Sequence, residues 1–202
     1  KKKNTIIIRT LNVRNLLSEI SSKFYKLKPK NIIAVTGTNG KTSVADMLYQ
    51  ILNLNNIPVA SIGTLGIKLK NKLIKSKLTS PDTITLHQTL EKLKEKKIDN
   101  VIIETSSHGL HQKRVNHVNF KAGIFTNFSQ DHLDYHKTMN SYFESKMLLF
   151  KKIMSKGKKI ISDSNLKEFP ILKKISKKKQ LPLIDINEIK KKIYEEINLN
   201  MN

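Results

Sequence analysis

The 202-residue chain is long enough for one α/β domain with a true core, and its 38 basic against 16 acidic side chains give a net charge of +22 that draws any polyanion without choosing among them. With no cysteine it can build no disulfide framework, no thiolate nucleophile and no Cys-ligated zinc, a composition that fits the cytoplasm. No apolar run approaches the roughly 18 residues of a membrane span and the lysine-rich start lacks the apolar stretch of a signal peptide, so no membrane partner is expected.

In chain order, residues 1–30 pair a short β-like run, Thr5–Ile8, with an amphipathic stretch from Val13 to Tyr25 in which Val13, Leu16, Leu17 and Ile20 recur at helical spacing. That is too little for a domain, and a start at Lys1 rather than Met reads as a missing native N-terminus. Asn31–Thr36 predicts a buried strand and Gly37–Gly40 a glycine turn; Val44, Met47, Leu48, Ile51 and Leu52 then predict a helix. Ile57–Ile62 predicts a second strand, and Gly66–Leu78, alternating Lys with Ile and Leu, a solvent-facing ribbon. Ser80-Pro81-Asp82 signals the start of a helix running to about Lys97. Val101–Glu104 and Phe120–Thr126 are further β-runs, followed by a helix from about Asn140 to Ile153. Lys159–Ser162 and Leu183–Ile186 could be strands separated and followed by lysine-rich helices. Alternation at this spacing implies an α/β fold, a mostly parallel sheet flanked by helices, with functional groups gathered at the strands' carboxyl ends. No repeat and no Gly/Ser/Pro-rich linker divides the chain.

Three segments carry chemistry. Thr36-Gly37-Thr38-Asn39-Gly40-Lys41-Thr42-Ser43 lies between a β-run and a helix, where backbone N–H groups and the helix dipole cradle phosphates. There Lys41 would reach the β- and γ-phosphate oxygens and Thr42 would place its hydroxyl on Mg²⁺. Val35 stands where the general G-x-x-x-x-G-K-[ST] pattern has its first glycine, so the match is incomplete. The bland alternative is a glycine turn that happens to precede a lysine. Val101–Glu104 delivers a carboxylate, a hard oxygen ligand, to the same edge of the sheet; alone it reads equally well as an exposed strand end. Phe125–His136 packs Asp131, His132, Asp134 and His136 behind a strand, which could build a transition-metal site or a polar loop without metal. Lys146, between apolar residues on a helix, would ordinarily extend its charge to water.

Together these segments resemble the Mur ligase family, and its MurE branch in particular. TGTNGK followed by Thr42 is similar to the family's variant phosphate loop; Glu104-Thr105-Ser106-Ser107-His108-Gly109-Leu110-His111-Gln112-Lys113-Arg114 resembles E-x-S-S-H-G-L-x-Q-x-R. Thr79-Ser80-Pro81-Asp82 resembles a T-T-P-D loop with Ser80 for the second threonine, and Thr126–His136 the run T-N-L-S-x-D-H-L-D-Y-H. The resemblance implies a P-loop Mur-ligase central domain, incomplete at both ends, with residues 1–30 a remnant of an upstream UDP-binding domain and 31–202 the ATP-binding domain. It implies ATP on Gly37, Thr38, Asn39, Gly40, Lys41, Thr42 and Ser43. Two Mg²⁺ would be held by Thr42, Glu104, His132 and a Lys146 turned into a carbamate by CO₂, with Lys41, His132 and Lys146 in the catalytic roles. Thr79, Ser80, Ser106, Gln112 and Arg114 would contact the UDP-N-acetylmuramoyl-dipeptide. The implied reaction adds a diamino acid, meso-diaminopimelate or L-lysine, to that dipeptide through an acyl phosphate, with turnover by the isolated chain not expected. A monomer is expected.

Two rivals stand beside it. A folylpolyglutamate-synthetase-like ligase shares the phosphate loop but not the SSHGL and DHLDYH segments. A basic P-loop protein that binds nucleic acid, or nucleotide without catalysis, would suit the charge. Yet all but three of the basic residues, Arg9, Arg14 and Arg114, are lysine, spread in short runs among Asn and Ile like drift toward A/T-rich codons. Readers of nucleic acid generally use arginine for bidentate contacts, so no specific nucleic-acid partner is expected.

Overall fold

A computed structural model describes residues 7–70, 72–76 and 78–199. The β-like run expected at Thr5–Ile8 lies partly outside the described residues, and Ile7 and Ile8 are exposed without strand pairing. Helix α1, Val13–Phe24, starts where the Asn12 side chain accepts from the Asn15 N–H at 3.1 Å. It docks through Ser18, whose hydroxyl donates to the Asn116 carbonyl at 2.8 Å, while Val13, Leu17 and Ile20 stay exposed. The helical period was legible there, but polar residues rather than the apolar stripe face the domain.

The remaining elements are β1 (Asn31–Thr36), α2 (Lys41–Leu54), β2 (Val59–Gly63), β3 (Gly66–Leu69), β4 (Lys72–Ile74), α3 (Thr83–Glu95), β5 (Asn100–Glu104) and α4 (Ser107–His111). They continue with β6 (Phe120–Phe125), α5 (Leu133–His136), α6 (Met139–Leu148), a π-helical turn (Leu149–Ile153), β7 (Lys159–Ser162), α7 (Phe169–Lys179), β8 (Leu183–Asp185) and α8 (Ile186–Leu199). They form one sheet in the order β4-β3-β2-β5-β1-β6-β7-β8. All neighbours pair in parallel except β2–β3 and β3–β4, which make the lysine-rich ribbon as an antiparallel edge.

Central parallel strands are buried on both faces, hence their uninterrupted apolar character. Ile32, Ala34, Ile62, Val101, Ile103 and Phe125 pack with Leu86 and Leu90 of α3, Leu110 of α4, and Met147, Leu149 and Phe150. On the opposite face Val35, Val59 and Ile102 pack against Ala45 and Tyr49 of α2. The single helix expected over Asn140–Ile153 is instead α6 followed by the π turn, closed by the Met154 N–H on the Leu149 carbonyl at 2.9 Å. Widening the helix by one residue lets the consecutive Leu149 and Phe150 both face inward, against Gly123 of β6, where an added Cβ would lie 2.8 Å from Phe150.

Register sets the site. Val35 pairs with Glu104 and Thr36 with Phe125, so β5, β1 and β6 end level and the loops after them share the sheet's carboxyl edge.

Candidate active site

The loop Gly37–Gly40 leaves β1 and enters α2 with Gly37 at φ +147° and Gly40 at φ +78°. At Gly37 a Cβ would sit 1.9 Å from Thr126 Oγ1, so only glycine lets the loop lie this close to the segment after β6. Gly40, the N-cap of α2, has no side chain to satisfy the first-turn N–H groups, and that helix end carries the positive pole of the dipole. Lys41 Nζ folds onto the loop, donating to the Gly37 carbonyl at 3.0 Å and the Thr38 carbonyl at 2.6 Å. Burial lowers its pKa, and Glu104 and Asp131 oppose the shift.

Glu104 is buried at 2% exposure, and hydroxyls and an amide rather than a cation surround its carboxylate. Oε2 accepts from Thr42 Oγ1 at 2.8 Å and Thr64 Oγ1 at 3.1 Å, and Oε1 from the Thr64 N–H at 3.0 Å. A buried carboxylate bonded to the hydroxyl that follows the phosphate-loop lysine is a donor set a hard cation fits. Gly63 leaves room for it, since a Cβ there would come within 1.9 Å of Glu104 Oε1.

Lys146 is buried at 1% exposure in α6; its Nζ donates to the Gly37 carbonyl at 2.6 Å and lies 4.3 Å from the centroid of the Tyr142 ring. Burial, reinforced by Lys41, lowers its pKa to about 7. Desolvation of a fully enclosed ammonium, several kcal/mol, outweighs the aromatic face, roughly 0.5–2 kcal/mol. Burial therefore favours the neutral amine far more than in a solvent-exposed lysine.

His132 caps α5 in the left-handed region at φ +52°, half exposed, 3.4 Å from Asp131 Oδ2. Its ring lies 4.9 Å from His108 and 5.8 Å from Tyr142, the ring that Lys146 also meets. His136 points away into the core, between Ser107 Oγ at 3.0 Å and Ser145 Oγ at 3.3 Å, and burial lowers its pKa to about 4. Among the described residues no three His, Asp or Glu side chains converge on one point, so the transition-metal cage that this segment could have built is not assembled.

The expected substrate residues form a second group beside the first. Ser80 is buried, its hydroxyl donating to the Glu104 carbonyl at 2.9 Å and accepting from the Ser106 N–H at 3.0 Å. Ser106 caps α4 by accepting from the Gly109 N–H at 3.1 Å. The Ser80 hydroxyl thus holds the backbone that follows β5, and the Ser106 hydroxyl that of its own helix start. Thr79 Oγ1 meets Thr64 Oγ1 at 3.1 Å. Arg114 donates to the Ser80 carbonyl at 2.9 Å and to Gln112 Oε1, and Gln112 Nε2 donates to Tyr135 at 3.1 Å. Gln112 and Arg114 also line a cavity of about 160 Å³ with Arg14, Leu17, Asp82 and Thr83.

The sequence match that accompanies this geometry is to the model of the Mur ligase middle domain, over residues 35–202. The chain belongs to the Mur ligase family. Among curated relatives, the UDP-N-acetylmuramoyl-L-alanyl-D-glutamate–2,6-diaminopimelate ligase of Wigglesworthia glossinidia brevipalpis is 47% identical over 154 residues, 75% of this chain and 31% of the relative. The enzyme of the same name from Aquifex aeolicus (strain VF5) is 43% identical over 160 residues, 78% and 33%. The chain thus spans about a third of the length of the curated relatives it matches. A solved UDP-N-acetylmuramoyl-L-alanyl-D-glutamate–2,6-diaminopimelate ligase superposes with a TM-score of 0.76 at 26% identity, covering 88% of this chain and 37% of that one. A bifunctional folylpolyglutamate synthase/dihydrofolate synthase from Yersinia pestis, complexed with AMPPNP and Mn ion, reaches 0.63 at 17% identity, covering 91% and 49%, which is a likeness of fold.

Three side chains in this Mur ligase middle domain were given no role by the sequence: Thr64, which gives Glu104 two of its hydrogen bonds and belongs to no motif; and Tyr142, beneath Lys146, and Asn127, against the phosphate loop, which lie within matched segments. No helix among the described residues is long and apolar enough to cross a membrane.

Proposed function

We propose that this domain is the ATP-using centre of a ligase that joins 2,6-diaminopimelate to UDP-N-acetylmuramoyl-L-alanyl-D-glutamate. One observation carries the reading: the phosphate loop, Glu104 through Thr42, and Lys146 through Gly37 form one hydrogen-bonded unit at the sheet's carboxyl edge. The names of the relatives favour diaminopimelate over lysine as the amine.

The γ-phosphoryl group of ATP passes to the D-glutamyl carboxylate, giving an acyl phosphate and ADP. The incoming amine then attacks the acyl carbon and inorganic phosphate leaves. Gly37–Ser43 hold the phosphates, and Lys41 leaves the loop carbonyls to neutralise the transferring group. Thr42, Glu104, His132 and Lys146 as its carbamate would hold Mg²⁺, which when bound offsets charge on the phosphate oxygens. Gln112 and Arg114, with Thr79, Ser80 and Ser106 shaping the loops beside them, face the muramoyl-dipeptide. Most of the rate comes from alignment and electrostatics, since no protein nucleophile is needed. In this reading residues 31–202 form the ATP-binding domain and residues 1–30 lead into it.

The test has two parts. The 202-residue chain should bind MgATP in a calorimeter, with binding lost in Lys41→Ala. Extended to the relatives' length, it should release phosphate only when UDP-N-acetylmuramoyl-L-alanyl-D-glutamate and diaminopimelate are both present. Phosphate release stimulated by nucleic acid, with none from the precursor and any diamino acid, would replace the ligase by a nucleic-acid-dependent ATPase.

A further inference from the structure

The segment that follows β6 grips the phosphate loop residue by residue. The Thr38 N–H donates to the Asn127 carbonyl at 2.9 Å, and Thr126 Oγ1 donates to the Asn39 carbonyl at 2.6 Å. Ser129 and Thr38 exchange two bonds, Ser129 N–H to Thr38 Oγ1 at 3.0 Å and Thr38 Oγ1 to the Ser129 carbonyl at 3.2 Å. Within this grip one side chain makes a paired contact. Asn127 Oδ1 accepts from the Asn39 N–H at 2.9 Å, and Asn127 Nδ2 donates to the Asn39 carbonyl at 3.2 Å. A single planar carboxamide thereby fixes both polar groups of the residue in the middle of the loop.

We propose that Asn127 is a positioning residue for the phosphate loop, holding Asn39 so that the N–H groups at the uncapped start of α2 remain disposed toward a polyphosphate. Asn39 precedes Gly40, whose left-handed backbone turns the chain into the helix. A rotation of the Asn39 peptide would redirect the following N–H groups, and a loop that samples several orientations binds with an affinity reduced by the fraction in the competent one. The bonds to Asn39 span 88 residues, so the clamp also ties the loop to the strand end that carries Asp131 and His132. This role rests on the nucleotide-binding reading above. Asn127 touches loop backbone in this structure and is a positioning rather than a catalytic residue.

The test compares the 202-residue chain with Asn127→Ala and Asn127→Asp. Asn127→Asp keeps the shape and the acceptor for the Asn39 N–H but loses the donor to its carbonyl. Affinities for MgATP and for inorganic tripolyphosphate are measured by calorimetry at moderate and high salt, beside thermal unfolding and the ¹⁵N amide signals of Asn39 and Gly40. Both variants are expected to bind each ligand at least about tenfold more weakly at either salt. For Asn127→Asp the unfolding midpoint should stay near wild type. Exchange broadening should appear at Asn39 and Gly40 and be relieved by saturating ligand. A role in stability alone would instead lower affinity only in step with the midpoint. Affinity within twofold of wild type in Asn127→Ala overturns the proposal, as does unchanged affinity in Asn127→Asp should the alanine variant fail to fold. Both outcomes leave the nucleotide reading standing. Wild-type chain that binds neither ligand removes that reading, and the clamp's function with it.

Discussion

The buried amine of Lys146 gives the most direct quantitative test. At a fixed bicarbonate concentration a neutral amine and its carbamate interconvert with no net proton change, so carbamate occupancy follows the fraction of lysine that is uncharged. With its pKa lowered to about 7 by burial and by Lys41, Lys146 is about three-quarters neutral at pH 7.5, whereas an ordinary lysine is neutral about one time in a thousand. The advantage is several hundredfold at this one position. The assay is ¹³C NMR of the chain in ¹³C-bicarbonate, titrated from pH 6 to 10, with Lys146→Met subtracted to remove the α-amino group and the surface lysines. Carbamate at Lys146 should rise through about pH 7 and level off by about pH 8. A difference signal that instead climbs through pH 9–10 like a solvated lysine would refute the assigned effect of burial. No difference signal at any pH would refute the carbamate itself.

Three further outcomes follow from particular atoms. Gly37→Ala places a Cβ against Thr126 Oγ1 and should cost about 1–3 kcal/mol in urea unfolding and abolish MgATP binding. Gly157→Ala, at φ +81° but in open space, should cost about 1–2 kcal/mol and leave binding intact. Glu104→Gln keeps acceptor and donor atoms among Thr42 and Thr64 but removes the charge; calorimetry should show the Mg²⁺ dependence of ATP binding reduced at least about tenfold with the unfolding midpoint little changed. His87, fully buried in α3 with neither ring nitrogen hydrogen-bonded, has its pKa lowered to about 4, chiefly by burial, against 6.5 for an ordinary histidine. Between those values the unfolded chain binds more protons than the folded one, so this contribution is complete above about pH 6.5 and declines as pH falls toward 4. From pH 7.5 to 5 the wild type should lose about 2 kcal/mol more than His87→Leu; equal losses would show that the imidazole is not held neutral.

What could be read in the sequence was what short-range pattern encodes. The apolar run Asn31–Thr36 followed by Gly37 and Gly40 specifies strand, loop and helix within a dozen or so residues, and Asp82 appears as the N-cap of α3, accepting from the Thr85 N–H at 3.0 Å. Glu104 was legible because a carboxylate ending an apolar strand has few places to go but the sheet's edge. Thr64 was not, because its reason for being there is a carboxylate 40 residues away, and the turn that carries it looks like any hairpin corner. Tyr142 reads as core until Thr38 Oγ1, 104 residues earlier, is seen within 3.3 Å of its hydroxyl. The π turn eluded a 3.6-residue period because its cause lies on another element, the Cβ-less face of β6 at Gly123. Likewise, α1 has the amphipathic rhythm of a docked helix but turns Ser18 and Ser21 inward, since its neighbour offers the Asn116 carbonyl rather than an apolar groove.

Under the proposed carbamate Lys146 would change sign while Lys41 keeps it, and the charges at the sheet's edge favour that division. Lys41 and Lys146 both donate to the Gly37 carbonyl, so with both protonated two cations share one acceptor, and each is lowered by burial. Their compensation is unequal. Lys41 has the attraction of both Glu104 and Asp131, whereas Lys146 has Asp131 alone and is further lowered by Lys41 itself. The less compensated lysine is the one whose neutral form is cheaper, and a neutral amine is what reacts with CO₂. A carbamate at Lys146 would turn a repulsive pair into an attractive one across the same carbonyl. The buried edge would change from two cations about one carbonyl to one cation and two carboxylates, Glu104 and the carbamate. That arrangement would suit a divalent ion better and would leave Lys41 positive for the phosphates.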